Sequence, residues 1–232
     1  MDPSVVFTVL VVLTPLVFVS SFTEALAYVL QPTWIVSVVL LVAIVSISRA
    51  GRPEKLSYWD SRVAHWFLCN GVYFNLFLDV VSGQFQLGGE MSKQYLTVEP
   101  RYAYGPFVCD GQSVFWTSML ELFFQAPLCI AAYFAYQRNS PWRRQTEIFA
   151  SILHASGVWF FYVPEAVAGF PHLGGWPQTL TEALSFHRLL FFWFGFWFCG
   201  ILWIVIPILI ASRAWRQLNA IVMAHNKCSK GK

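Results

Sequence analysis

Residues 71–81 read "GVYFNLFLDVV", an apolar run interrupted by Asn75 and Asp79. Side chains four positions apart share one face of a helix, one turn from each other. The chain around this run is 57% hydrophobic and only 12% charged, with a mean hydropathy of +0.55. An ordinary soluble domain carries roughly 25% charged residues, so this much apolar surface does not fit inside one aqueous core. The reading is an all-α membrane protein with residues 71–81 inside a span. Aromatic residues make up 18% of the chain, with 22 Phe and 11 Trp. Lipid contact needs only aliphatics, so the excess of rings points to interfacial belts or an aromatic-lined cavity.

A transmembrane helix needs about 20 mostly apolar residues. Six stretches qualify: 4–21, 33–49, 64–82, 112–136, 147–168 and 187–212. The first, "SVVFTVLVVLTPLVFVSS", is short enough for a signal peptide. It is preceded only by Asp2 rather than by a basic region, and is read as a retained helix. Arg49, Arg52, Lys55 and Arg62 fall between spans two and three, and Arg138, Arg143 and Arg144 between spans four and five. Arg213, Arg216, Lys227, Lys230 and Lys232 follow span six. Loops separated by an even number of crossings share a side, and the positive-inside rule makes that side cytoplasmic, with both termini on it. The net charge of +3 therefore tracks sidedness and is no nucleic-acid signal. Cys69, Cys109, Cys129, Cys199 and Cys228 show no metal-ligand spacing, and neither a metal nor a cofactor is expected.

The loop 83–111 is long for a connection. Its Tyr95, Tyr102, Tyr104 and Phe107 suggest a lid packed on the helix ends. Inside the spans lie Asp79 and Glu121, with Glu165 near the outer end of span five. A charge at mid-bilayer costs about 2.5–3.5 kcal/mol on insertion scales, so such residues face a bundle interior. Glu121 has Thr117 and Ser118 one turn behind it and Gln125 one turn ahead, a polar stripe facing that of Asn75 and Asp79. Taken singly, Asn75, Ser118 and Gln125 are equally well explained as interhelical hydrogen-bond glue. His154 is either a satisfied core histidine or part of the same interior. Glu165, just after Pro164, is either a helix-end residue or a binding one. Two carboxyl groups in different environments can divide acid and base roles, and ring faces stabilise a cation by about 2 kcal/mol when desolvated. Tyr73 and, in "FFWFGFWFCGILWIVIP", Trp193, Trp197 and mid-span Trp203 are candidates for that wall.

Several stretches resemble the emopamil-binding protein family, the membrane sterol isomerases and their relatives with an EXPERA-type domain. "QPTWIVSVVLLVAIVSISRAGR" is similar to the family's opening Pro-Thr-Trp helix and its Gly-Arg exit. "SKQYLTVEPRY" is similar to its extramembrane loop at Lys93, Tyr95, Arg101 and Tyr102. "SGVWFFYVPE" matches at Gly157 and Glu165, and Trp203 falls on the Trp of the family's last helix. The resemblance covers residues 32–216. It implies a five-helix bundle around a cavity open to the bilayer, with residues 1–31 an extra membrane segment and 217–232 a basic cytoplasmic tail. It also implies residence in the endoplasmic reticulum and a hydrophobic polycyclic lipid as partner, leaving monomer and homodimer both open.

The departures are specific. Where the family's isomerases carry His and Glu four apart, this chain has Asn75 and Asp79. The family's Glu on the next helix aligns with Ser118, Glu121 standing three later. The family's Asn before its Trp is Gly200. An amide exchanges no proton at neutral pH, and a displaced acid undermines chemistry that depends on placement. The expected function is thus an isomerase or cyclase. It would rearrange a polycyclic terpenoid or sterol-like lipid through a carbocation, with Glu121 as acid, Asp79 as base or cation stabiliser, and Asn75, Ser118 and Trp203 in supporting contact. A sterol double-bond isomerase and a non-catalytic sterol- or cationic-amphiphile-binding receptor are the alternatives.

Overall fold

The computed structural model describes residues 32–50 and 56–230. The first expected span and the proposed 1–31 segment lie outside the described residues. The other five expected spans correspond to helices. Helix α1 is Pro32–Ala50, and α2 is Tyr58–Leu68 continuing through the wider turns of Cys69–Gln84. A lid follows, made of α3 (Glu90–Val98) and a 3-10 turn (Pro100–Ala103). Helix α4 (Cys109–Leu120) runs through one wide turn (Glu121–Gln125) into α5 (Ala126–Gln137). Helix α6 is Arg143–Val167, α7 the short Leu180–Ala183, and α8 is Cys199–Lys230, entered through wide turns over Arg188–Phe198. The described residues form no strand.

Three stretches among the described residues are long and apolar enough to cross a bilayer: Cys109–Gln137, Arg143–Val167 and Phe191–Cys228. Ile35–Ile47 is a shorter apolar helix. Helix α2 has the length to cross, but Asn70, Asn75 and Asp79 dilute its hydropathy and it is not among the three. Its polar residues turn inward, as a bilayer demands. On α6, Ser151, His154 and Gly157 are buried while Phe149, Ile152, Trp159 and Phe160 are exposed. On α1, Ser37, Leu41 and Ile44 at i, i+4 and i+7 face the bundle, and Val38, Val39 and Val42 face outward. The molecule is apolar outside and partly polar inside, the reverse of a soluble domain.

Local sequence sets the element boundaries. Ser57 caps α2, its hydroxyl accepting from the Asp60 amide at 3.1 Å. Pro127 stands two residues after the wide turn at Glu121–Gln125, where the Ala126 amide reaches the Glu121 carbonyl. A proline has no amide hydrogen and crowds the carbonyl four residues back, and i→i+5 spacing relieves both problems. Helix α6 packs along α8, and α5 packs on both α2 and α6.

Two polar clusters hold the ends of the bundle. At the basic end, Arg144 pairs with Asp60 (3.0 Å) and Glu147 (2.8 Å), and Tyr136 also donates to Glu147. Arg213 contacts Asp60 and approaches Glu147 at 3.5 Å, so α2, α5, α6 and α8 meet in one buried network. At the lid end, Arg101 holds Glu99 through two nitrogens (2.6 and 2.8 Å) and donates to the Phe161 carbonyl at 3.0 Å. Nearby, Arg188 gathers the carbonyls of Leu173, Gly174 and Gly175. Gly174 and Gly175 sit at φ +76 and +77, backbone that glycine adopts without a Cβ penalty.

Candidate active site

Asp79 lies in the wide-turn part of α2 and Glu121 opens the wide turn after α4, and these two segments pack together. The two carboxyl groups are electrostatic neighbours: the charge of Asp79 acts on Glu121, and both act on the phenols of Tyr95 and Tyr102. Neither makes an ion pair among the described residues. Tyr95 donates its hydroxyl hydrogen to Asp79 Oδ1. Tyr102 stacks beside Tyr95 with ring centroids 5.2 Å apart and lies against Ser118. Burial first, and then the Asp79 charge, push the Tyr95 phenol well above its ordinary range, so it serves as a donor and not as a phenolate.

The lid tyrosines arrive here because Gly83 makes room. A Cβ at that position would sit 2.8 Å from the Tyr95 ring and 3.0 Å from the Tyr102 ring. The other two lid aromatics do not join them. Tyr104 is exposed against His172, and Phe107 is 95% exposed at the turn before α4.

Some buried polar atoms without a protein partner lie on the segments that carry the acids. They include Asn75 Nδ2, Glu121 Oε2 and Gln125 Oε1, while Ser118 is within reach of the Tyr102 hydroxyl. Asn75, Ser118 and Gln125 are each at most 3% exposed. A buried polar group left unpaired costs about 1–3 kcal/mol, so several at one place mark a spot where a ligand or water completes the bonding. Two carboxyl groups, a phenol donor and spare amide groups thus lie on segments that pack together in the bundle interior. That set can deliver a proton, stabilise positive charge and take a proton back. Among the described residues, no three His, Cys, Asp or Glu side chains gather as a metal-ligand set.

The structure brings Asp79, Glu121, Asn75 and Ser118 into this neighbourhood and places the other expected site residues elsewhere. Tyr73 bonds Ser37 at 2.5 Å across the α1–α2 contact, so its hydroxyl turns from the acids. Trp203 packs on Phe74 and Trp66, at centroid distances of 5.0 and 5.7 Å. Trp193 and Trp197 belong to a lid-end cluster with Phe170, Trp176, Phe192 and Phe196, and Trp193 donates to the Ala183 carbonyl at 3.0 Å. Glu165 is tied to the His172 ring and amide (2.8 and 3.0 Å) and lies 3.6 Å from Arg101, a fastening for the lid. His154 is buried on α6, its Nδ1 3.0 Å from the Ala150 carbonyl. Sequence reasoning placed Tyr95 and Tyr102 on a lid without assigning them to the site. Aromatic density in the loop after a helix with Gly83 near its end was the available signal.

The family model described as EBP: EXPERA (EXPanded EBP superfamily) matches residues 89–214, just over half of the chain. The match takes in the lid, Glu121, His154, Glu165 and Trp203, and it begins after Asp79. No curated protein matches the chain.

Proposed function

The chain belongs to the EXPERA (expanded EBP) superfamily, and from that premise we propose that it is a membrane-embedded isomerase or cyclase. Its substrate is a polycyclic terpenoid or sterol-like lipid, rearranged by proton-initiated carbocation chemistry in the endoplasmic reticulum membrane, with the basic end of the bundle facing the cytoplasm. The observation that carries this reading is the pairing of Asp79 with Glu121 on adjacent segments inside an apolar shell, with neither in an ion pair among the described residues.

In the proposed reaction Glu121 in its acid form gives a proton to one carbon of an alkene, or to an epoxide oxygen. The positive charge develops on the neighbouring carbon. Asp79, oriented by the Tyr95 hydroxyl, stabilises that charge and then removes a proton from an adjacent carbon. The electron pair of the broken C–H bond becomes the new double bond, and no oxidant, reductant or metal takes part. Asn75 and Ser118 orient the substrate or a water. The location of Glu121, a turn beyond the aligned Ser118, supports a substrate other than the family's sterol alkene.

The test uses protein in microsomes supplied with candidate epoxides and alkenes in heavy water. Wild-type protein should form a rearranged product carrying one deuterium at the protonated atom. Glu121→Gln and Asp79→Asn should each lower turnover by about 10²–10⁴-fold, the usual worth of a positioned acid or base. Conversion confined to sterol alkenes would transfer the assignment to sterol double-bond isomerisation. Tight binding of cationic amphiphiles with no deuterium in any product would make the protein a receptor. Turnover that survives both substitutions would remove these residues from the chemistry.

A further inference from the structure

The proposed reaction leaves Glu121 without a proton at the end of each turnover, and the acid lies deep in the bundle. A column of polar side chains runs from it toward the basic end. Gln125 is one turn beyond Glu121, and its Oε1 lies 3.5 Å from where a Cβ on Gly157 would be. Cys129, one further turn along, places Sγ 4.0 Å from His154 Nδ1. On α6, His154, Ser151 and Glu147 follow at three- and four-residue spacing, all at most 1% exposed and all on one face. Glu147 belongs to the Asp60–Arg144–Arg213 cluster, which reaches solvent at Arg213, 24% exposed.

The tautomer of His154 follows from its partner. A carbonyl oxygen only accepts, so Nδ1 carries the hydrogen and donates to Ala150, and Nε2 presents a bare lone pair. That Nε2 has no protein partner, and neither do Ser151 Oγ and Gln125 Oε1. Three acceptor-capable atoms stand unpaired in succession between a buried acid and a solvent-touching ion cluster. Neighbours one helical turn apart are about 5–6 Å from Cβ to Cβ, a gap that a single bridging water closes. Buried polar groups of this kind recruit such waters.

We propose that Gln125, His154 and Ser151 form a water-bridged proton relay that reconnects Glu121 with the basic end of the bundle, with His154 as its exchanging group. A proton entering past Glu147 is taken up at His154 Nε2, which transiently holds it as imidazolium while Nδ1–H stays on the Ala150 carbonyl. The same proton leaves Nε2 for a water held by Gln125 and ends on Glu121 Oε2. The proton that Asp79 took from the substrate departs on the lid side, past the Tyr95 hydroxyl, so that one proton enters and one leaves in each turnover. Gln125 and Ser151 orient water and are positioning residues. The relay deepens the proposed function and rests on it for its effect on turnover.

The experiment follows hydrogen–deuterium exchange of the Glu121 carboxyl band by infrared spectroscopy in liposomes, the band being identified by its loss in Glu121→Gln. Exchange should slow at least tenfold in His154→Phe and measurably in Ser151→Ala. In turnover, the first product should form at the wild-type rate in His154→Phe while later turnovers slow at least tenfold. If His154→Phe does not fold, His154→Gln and Ser151→Ala carry the measurement. Exchange within twofold of wild type, or no carboxyl band lost in Glu121→Gln, overturns the relay. Slowed exchange in a protein that forms no product upholds the relay and removes the chemistry. Product formation with unchanged exchange does the opposite.

Discussion

Replacing Arg101 with Ala tests what holds the lid over the acids. Arg101 is 2% exposed and Glu99 4%, and the guanidinium satisfies both oxygens of Glu99, the Phe161 carbonyl, and part of the Glu165 field. Burial works against the charge on Arg101, but Glu99 and Glu165 outweigh it and hold its pKa above the ordinary arginine value, so the guanidinium stays charged. In Arg101→Ala, Glu99 keeps one backbone amide donor at 3.1 Å and is otherwise a buried, uncompensated carboxylate. Removing one partner of such a pair costs about 3–5 kcal/mol. The loss of guanidinium packing over the Phe161 ring, 4.6 Å away, adds to it. The cost falls mainly on the lid, because both bonds to Glu99 are made within residues 99–101. The expected outcome is opening of the lid, with amide exchange over residues 88–104 faster by roughly 10²–10³-fold at 1.4 kcal/mol per decade. Adding Glu99→Gln should recover part of the loss, since no buried charge is then stranded. Exchange within threefold of wild type in Arg101→Ala, or strict additivity with Glu99→Gln, would refute the view of this pair as the lid's fastening.

Two further outcomes are expected. A methyl group on Gly200 would overlap the Tyr162 hydroxyl and ring, which are wedged against Phe196 with centroids 4.1 Å apart. Gly200→Ala should therefore destabilise the protein by about 1–3 kcal/mol through overpacking, and Tyr162→Ala in the same chain should cost less than the sum of the two singles in detergent melting curves. Glu182 is held below the ordinary glutamate pKa by the Gln178 amide and then by Arg188. A lowered folded-state pKa means its contribution is present above the ordinary glutamate range and is lost as pH falls through the folded value. Fluorescence of Trp176 and Trp193 should accordingly change only under acid conditions below that range, and Glu182→Gln should flatten the profile.

Helix positions were legible because a bilayer imposes a hydropathy rule on every span. The expected limits 112–136 and 147–168 fall within a few residues of Cys109–Gln137 and Arg143–Val167. The acids were legible for the same reason, since Asp79 and Glu121 stand out against apolar neighbours. Direction around a helix axis was harder. Trp193, Trp197 and Trp203 lie in one aromatic run, and nothing in their order separates a ring facing Trp176 from one facing Phe74. Asn75, Ser118 and Gln125 carry two explanations in the sequence, because interhelical hydrogen bonding and substrate contact call for the same side chains.

Composition and spacing alone determined a helical membrane protein with two carboxylates at depth, because lipid penalises every unburied polar group and leaves few arrangements open. Only the tertiary structure decided that Tyr95 reaches down from the lid to Asp79, that Glu165 fastens Arg101 and His172, and that His154 turns an unpaired nitrogen inward. Those contacts join residues far apart in the chain. Their energy depends on ångström-scale approach and on which way a side chain leaves its helix, and neither quantity is written in hydropathy.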